Sequence, residues 1–184
     1  MLTKIIFAGF GGQGVLMMGY SFAHAAMSDG YEVTYLPSYG AEVRGGTANC
    51  TVAVSDEEIA SPIASEPDYL VVMNAPSLYT FQTRIAPGGT VFLNSSIIEA
   101  RPSRRDIKVC EIPAGEIAIQ LGSPRAQNIV LMGAFVKKVG LISPETYLKS
   151  LKNIMGERKK SVMGVNRKAF LAGYELINGE TDGG

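Results

Sequence analysis

The chain has 184 residues, of which 46% are hydrophobic and 18% are charged, and its 17 basic and 17 acidic residues give a formal net charge of zero. This balance excludes broad electrostatic attraction to nucleic acid or to an anionic membrane. Two cysteines and one histidine are too few for a zinc or iron–sulfur site, so we expect Cys50 and Cys110 to be buried thiols. With no signal peptide and no long apolar span in the sequence, we expect a cytoplasmic protein that no membrane holds.

The predicted elements alternate between strands and helices. The first third is predicted to run strand, helix, strand, strand, at residues 3–8, 12–27, 32–36 and 47–55. The middle third is predicted to hold a short extended piece, a strand, a helix, two strands and a short helix, at 59–62, 69–73, 76–84, 90–94, 107–112 and 117–121. Helices are predicted for the last third at 127–139, 144–154 and 163–178. We therefore expect one domain over residues 1–184, an α/β fold of three α/β/α layers with a mostly parallel or mixed sheet and a helical C-terminal third.

A glycine-rich turn directly after the first predicted strand is the first candidate site. It matches the pattern G-x-G-x-x-G, and its candidate ligand contacts are Gly9, Gly11, Gly12, Gln13 and Gly14. A helix is predicted to follow, and the backbone N–H groups of a helix N-terminus favour an anion. The turn either permits only a tight strand-to-helix connection, or it lets a backbone or a phosphate from a neighbouring subunit come close.

The rest of a dinucleotide site is missing. Such a site needs a carboxylate about twenty residues further on, at the carboxyl end of the second strand. That end is Leu-Pro-Ser at residues 36–38, whereas Glu32 stands at the start of the strand and faces the wrong edge of the sheet. The glycine turn alone therefore does not predict a bound dinucleotide.

A second candidate site lies at residues 38–50, in the string Ser-Tyr-Gly-Ala-Glu-Val-Arg-Gly-Gly-Thr-Ala-Asn-Cys. A guanidinium binds carboxylate or phosphate in bidentate fashion, and the N–H groups of paired glycines form an anion-binding nest. The alternative is that Glu42 and Arg44 pair with the backbone of their own loop and hold its shape. The candidate contacts of this motif are Glu42, Arg44, Gly45, Gly46, Thr47 and Asn49.

Together the two motifs resemble the gamma subunit of the 2-oxoacid:ferredoxin oxidoreductases. The resemblance covers nearly the full chain, and its further matches are Ser55-Asp56, Ser61-Pro62, Asn128, Asn166 and Gly173-Tyr174-Glu175. The Arg-Gly-Gly-Thr-Ala-Asn-Cys form resembles the branches acting on 2-oxoglutarate or branched-chain 2-oxoacids such as 2-oxoisovalerate. Ala41 and Val43 stand where the family often has Pro and Met.

The resemblance implies a subunit of an enzyme that oxidatively decarboxylates a 2-oxoacid to an acyl-CoA and passes the electrons to ferredoxin. Thiamine diphosphate is implied on the partner subunits alpha and beta and iron–sulfur clusters on other subunits, with delta as a further partner, and CoA is an implied contact of this chain. No catalytic residue and no metal ligand is assigned here, because the chain has one histidine and no paired acid–base constellation.

Two other functions stay open from the sequence. One is a free-standing nucleotide-binding oxidoreductase of Rossmann type, and the other is a structural or regulatory subunit without a ligand. A subunit separated from its partners is expected to expose an apolar patch and to form a homodimer.

Overall fold

The computed structural model describes residues 1–39, 46–156 and 160–177. Within these ranges a single sheet has the strand order β2-β3-β1-β4-β5-β6. The strands are β1 (Leu2–Phe10), β2 (Glu32–Tyr39), β3 (Thr47–Ser55), β4 (Tyr69–Val72), β5 (Thr90–Asn94) and β6 (Lys108–Ile112). In the part of the sheet ordered β1-β4-β5-β6 each strand is parallel to the next, whereas β3 is antiparallel to both β1 and β2. The predicted mixed sheet is confirmed.

Helices cover both faces of the sheet, which gives the three predicted layers. The helices are α1 (Val15–Ser28), α2 (Ala75–Phe81), α3 (Ala114–Gln120), α4 (Gln127–Val139), α5 (Pro144–Met155) and α6 (Lys160–Leu176). Side chains alternate along each strand, so Ile5 and Phe7 of β1 pack with α1 and α3–α6, while Ile6 and Ala8 pack with α2 on the other face. None of the described helices is long and apolar enough to cross a membrane.

The larger core centres on Phe135 of α4. Four aromatic rings meet it edge-on, with centroid distances of 5.0–6.0 Å: Phe7, Phe22, Tyr69 and Phe92. Eight consecutive residues of α4, from 129 to 136, are buried, which confirms the prediction that this helix is covered on most sides. The core therefore ties α4 to strands β1, β4 and β5 and to helix α1.

Helices α4 and α6 cross with their backbones in contact. A Cβ added to Gly133 of α4 would collide with the carbonyl oxygen of Phe170, and one added to Gly173 of α6 would collide with that of Val130. Dispersion attraction falls steeply with separation, so this close approach strengthens the packing of the two helices. Helix α6 is thus fastened to the sheet through α4.

Several predicted boundaries are wrong at their ends. Strand β2 continues to Tyr39 instead of ending at residue 36, because Pro37 lies on an edge strand with one unpaired side. Helix α1 begins at Val15 after Gly14, three residues later than predicted, and residues 59–62 form no strand. The predicted cap at Ser143 is confirmed, since its Oγ accepts a hydrogen bond from the N–H of Thr146 at 3.0 Å.

The two cysteines lie in different surroundings. Cys50 of β3 is fully buried beneath α1, as predicted. Cys110 is only half-buried, so that expectation was wrong, because β6 is an edge strand with one open side. No disulfide joins the two residues.

Candidate functional site

The glycine turn lies at the place in the sheet where the helices that follow two neighbouring parallel strands pack on opposite faces. After β1 the chain passes to α1 on one face, and after the neighbouring parallel strand β4 it passes to α2 on the other. In open α/β sheets a change of this kind leaves a crevice at the carboxyl ends of the strands, and ligands bind there. Here residues 11–14 form one side of the crevice, and Met73 and Asn74 form the other.

The side chain of Gln13 spans this crevice. Its Oε1 accepts hydrogen bonds from the N–H of Phe10 at 2.7 Å and from Nδ2 of Asn74 at 3.3 Å. Its Nε2 donates to the carbonyl oxygen of Met73 at 2.9 Å. A Cβ at Gly9 would lie 2.7 Å from that Oε1, so Gly9 makes room for the amide. The Gln13 amide is therefore occupied within the chain.

The other glycines of the turn have different surroundings. Gly14 caps α1 with φ 78°, and a Cβ there would collide with Nδ2 of Asn128 at the start of α4. Gly12 has φ 93° and is exposed, with open space where a Cβ would lie. Gly11 is also exposed, and its N–H donates to the carbonyl oxygen of Gly46 at 3.0 Å. Gly11 and Gly12 thus form the accessible part of the turn.

The structure brings the two sequence motifs together. Strands β1 and β3 pair so that Phe10 lies opposite Thr47 and Ala8 lies opposite Asn49. Thr47 is exposed and Asn49 is half-buried, beside the bond that joins Gly11 to Gly46. The predicted contacts Glu42, Arg44 and Gly45 lie outside the described residues. The described ends of both motifs therefore form one edge of the sheet.

The strand order differs from that of a dinucleotide-binding domain. There the second strand lies beside the first and carries the acidic residue at its carboxyl end. Here β3 separates β2 from β1, and Glu32 is paired with Ser55 at the end of the sheet opposite the glycine turn. The prediction that Glu32 lies at the wrong edge is confirmed.

Sequence analysis missed the amide residues that follow the other parallel strands. Oδ1 of Asn74 caps α2 by accepting from the N–H of Ser77 at 2.8 Å. Nδ2 of Asn94, at the end of β5, donates to Oε1 of Gln127 at 2.7 Å. Each Asn directly follows or ends an apolar strand, and that position was the available signal. These amides hold the turns at the carboxyl edge in place.

Cys50 and His24 both make structural contacts. Burial raises the pKa of the Cys50 thiol to about 12, and its Sγ donates to the carbonyl oxygen of Val15 at 3.6 Å, so the thiol stays protonated. Nδ1 of His24 lies 2.8 Å from Oγ of Ser150, a contact that joins α1 to α5. Among the described ranges, no group of three or more His, Cys, Asp or Glu residues could hold a metal ion.

These features define a class of three-layer α/β domain. In this class the side chain of Gln13 bridges the glycine turn to the next loop, and β3 lies between β1 and β2 in the sheet. Comparison with known proteins then gives the family. Residues 4–176 match the family described as pyruvate ferredoxin/flavodoxin oxidoreductase. The chain belongs to this family, and the predicted resemblance is confirmed.

Similar curated proteins are of two lengths. The ketoisovalerate oxidoreductase subunit VorA of Methanothermobacter thermautotrophicus is 36% identical over 183 residues, which cover 98% of this chain and 38% of VorA. The 2-oxoglutarate synthase subunit KorC of Methanothermobacter marburgensis is 34% identical over 186 residues, which cover 96% of this chain and 97% of KorC. The chain thus spans about two fifths of VorA and nearly all of KorC.

Solved structures share the fold. The gamma subunit of a keto/oxoacid ferredoxin oxidoreductase from Geobacter sulfurreducens is 27% identical with a TM-score of 0.82, over 97% of this chain and 99% of that chain. The 2-oxoglutarate:ferredoxin oxidoreductase of Magnetococcus marinus, solved with 2-oxoglutarate, coenzyme A and succinyl-CoA, is 26% identical with a TM-score of 0.90. That match covers 99% of this chain and 32% of the longer one.

Proposed function

We propose that this chain is the gamma subunit of a cytoplasmic complex that oxidatively decarboxylates a 2-oxoacid to an acyl-CoA with ferredoxin as electron acceptor. The main support is the match to KorC, a separate subunit that this chain spans to 97% of its length at 34% identity. The alpha, beta and delta chains are its proposed partners. They carry the thiamine diphosphate, which supplies the carbanion chemistry, and the iron–sulfur clusters.

One observation carries the choice of a subunit over an autonomous enzyme. Gln13 bonds to both walls of the crevice in which an open α/β domain holds its nucleotide, at Phe10 on one side and at Met73 on the other. With Gln13 across this crevice and without an acidic partner for a ribose, the domain is unsuited to a pyridine nucleotide. The free-standing oxidoreductase is the weaker alternative for this reason.

The substrate class follows from the relatives. Those named for 2-oxoglutarate, or for ketoisovalerate without pyruvate, are 31–36% identical to this chain, whereas the pyruvate synthase subunit PorC of Thermotoga maritima and the pyruvate/ketoisovalerate common gamma subunit of Thermococcus litoralis are each 27% identical. We infer that the complex acts on 2-oxoglutarate or a branched-chain 2-oxoacid. The Arg-Gly-Gly-Thr-Ala-Asn-Cys string at residues 44–50 is consistent with this choice.

The proposed contact surface is the accessible part of the two joined motifs. Gly11 and Gly12 are exposed, and Gly46, whose carbonyl oxygen accepts from the N–H of Gly11, lies beside them together with Thr47. We assign this edge, together with Arg44, to CoA or to a partner subunit at the CoA cleft. A guanidinium and a glycine-rich backbone both suit a phosphate. Gly9, Gln13 and Gly14 lie behind this surface and hold the turn in its conformation.

Reconstitution tests the subunit assignment. Co-expression with alpha, beta and delta partner chains is expected to yield a stable assembly that oxidises 2-oxoglutarate or 2-oxoisovalerate in a CoA-dependent reaction. An assembly of the other chains that is equally active without this one would overturn the assignment. Tight binding of NAD to the isolated chain in calorimetry would favour the free-standing enzyme instead.

A substitution separates a binding role from a purely structural one. Arg44→Ala in the assembled complex is expected to raise the KM for CoA about tenfold, because one charge-assisted contact is lost. Arg105→Ala is the matched control, since Arg105 is exposed on the β5–β6 connection. If KM and turnover are unchanged in an intact Arg44→Ala complex, the chain is the ligand-free structural subunit.

The isolated chain gives a further test of the partner assignment. Exposed apolar residues on β2 and α1 include Tyr20, Leu36 and Tyr39, which is 73% exposed. We propose that a partner covers such residues in the complex and that two copies of the isolated chain associate through them. Light scattering that gives a monomer mass at all concentrations would contradict the homodimer.

A further inference from the structure

Strand β2 has one side without a neighbouring strand among the described residues. Pro37 shows which of its backbone groups face that side. It is paired with Cys50 of β3 but has no N–H, so this pair is one of the non-hydrogen-bonded pairs of the antiparallel ladder. Such pairs alternate with hydrogen-bonded ones. The N–H and C=O groups of Val33 and Tyr35 therefore also point away from β3, toward the open side.

This open segment, residues 33–35, is limited at both ends. Beyond its carboxyl end, Pro37 offers a carbonyl oxygen but no donor. Before its amino end, the N–H of Tyr31 already donates to the carbonyl oxygen of Ala26 at 3.2 Å. Two N–H groups and two carbonyl oxygens lie between these limits. A strand that uses all four of them can pair with β2 only at this place.

Thr34, in the middle of the open segment, carries an unsatisfied hydroxyl. Its side chain is half-buried, and in the described part of the chain its Oγ1 has neither contact with solvent nor a hydrogen-bond partner. Tyr35 bonds to the carbonyl oxygen of Leu16 in α1, so the alternating Thr34 points to the opposite face of the sheet. A buried hydroxyl without a partner is costly. A hydroxyl brought to this edge would remove that cost.

We propose that the open segment of β2 pairs antiparallel with the same segment of a second copy of this chain, across a twofold axis at Thr34. The inference deepens, and rests on, the association of isolated chains proposed above. Val33 of each copy lies opposite Tyr35 of the other, so every donor of the two segments meets a carbonyl oxygen. A shift of one residue would place Val33 opposite Pro37, which has no donor. The opposite shift would place Tyr35 opposite Tyr31, whose N–H is already used.

The side chains suit this register. The two copies of Thr34 form a non-hydrogen-bonded pair with Cα atoms about 4.5 Å apart, and rotation about χ1 brings their hydroxyls together. Glu32, the one charged residue of β2, lies opposite Leu36 and not opposite its own copy. On the other face, the 14 residues of α1 include no charged side chain. Tyr20 of α1 is 46% exposed and packs edge-on against Tyr35, with ring centroids 5.6 Å apart.

Disulfide cross-linking of the full chain tests the register. Thr34→Cys places two thiols on the axis, within the Cα separation of about 4.4–6.8 Å that a disulfide needs, so mild oxidation is expected to give a covalent dimer. Ser38→Cys is the matched control. It is exposed on the same face of β2, but in this register its two copies are more than about 20 Å apart. Both variants carry Cys110→Ser, which removes the half-buried native thiol, whereas Cys50 is fully buried.

A charge on the axis tests the pairing without a cross-link. Thr34→Lys sets two ammonium groups opposite each other, so the dissociation constant of the dimer is expected to rise at least about tenfold in sedimentation equilibrium. Ser38→Lys adds the same charge outside the open segment and is expected to keep the wild-type constant. Thermal unfolding establishes that each variant is folded.

Three results would overturn the pairing. The first is a wild-type chain that stays monomeric at every concentration. The second is a dimer of wild-type strength in folded Thr34→Lys. The third is cross-linking of Ser38→Cys as readily as of Thr34→Cys. All three are measured on the chain alone, so they leave the reconstitution result, and with it the subunit assignment, unchanged.

Discussion

The Nε2 atom of Gln13 donates to the carbonyl oxygen of Met73 at 2.9 Å, across the gap between two parallel strands whose helices leave on opposite faces. Because Oε1 of the same side chain bonds to the turn and to Asn74, one residue binds the two loops together. The crevice between these two loops is therefore bridged by Gln13, whereas Gly11 and Gly12 at its rim stay exposed. The loops are held in position before any partner arrives.

We expect Gln13→Ala to lower the free energy of unfolding by about 2–3 kcal/mol, because three hydrogen bonds are lost. Gln13→Glu retains the acceptor for Phe10 and Asn74 but places a negative oxygen at the Met73 carbonyl, so it should also destabilise. Urea denaturation measures both. Gln120→Ala, at an exposed position of α3, is the control and is expected to change stability by less than about 0.5 kcal/mol.

Gly173→Ala is expected to destabilise the fold by about 3 kcal/mol, since the new methyl group meets the Val130 carbonyl and forces α4 and α6 apart. Gly164→Ala makes the same change in the same helix, at a position with nothing within 4 Å of the added Cβ. That control should stabilise α6 by roughly 0.5–1 kcal/mol through helix propensity. Similar midpoints in thermal unfolding for the two variants would contradict the close crossing.

Substitutions at two glycines of the turn distinguish the cost of backbone strain from the cost of a side-chain collision. Both Gly12 and Gly14 have positive φ, at 93° and 78°, but only a Cβ at Gly14 collides with a neighbour, Asn128. Gly12→Ala should cost about 1–2 kcal/mol from strain alone, and Gly14→Ala should cost more. In the double variant Gly14→Ala/Asn128→Ala the collision is removed, so its cost should fall to that of Gly12→Ala. Denaturant unfolding of the three variants tests this, and an equal cost for both single variants would refute it.

Stability is expected to fall at alkaline pH because of Cys50. Burial raises the pKa of its thiol from 9.0 in the unfolded chain to about 12 in the folded one, so the folded state holds the proton more tightly. The contribution of Cys50 is constant below about pH 9 and is lost as pH rises toward 12, at about 1.4 kcal/mol per pH unit. Cys50→Ala should reduce this slope in urea titrations between these values, and the remaining slope comes from Tyr35 and Tyr147, since burial also raises the pKa of their phenols. Parallel curves for the two proteins would contradict it.

The positions of most elements could be predicted from local pattern, because apolar runs and helical spacing act over a few residues. The β1 run and the Ser143-Pro144 cap are examples. Strand order could not be predicted, since the insertion of β3 depends on pairing between residues as distant as Leu2 and Ser55. No local sequence pattern identifies the strand that pairs with β1.

The sequence predicted which residues lie at the candidate site, but it did not predict what each residue contacts. The string at residues 9–14 indicates a turn that admits a ligand, and the structure joins it to Gly46 as one edge. The amide of Gln13 is instead bonded to Met73, sixty residues away.

The insertion of β3 also constrains the order in which the sheet is assembled. Strand β1 has β3 and β4 as its neighbours, and β2 touches β3 alone, so no two strands pair until residue 47 and those after it have left the ribosome. When residues 1–39 have left the ribosome, they therefore hold helix α1 and two strands without a partner, β2 and the apolar β1. Shielding of that segment during synthesis is a requirement built into this topology.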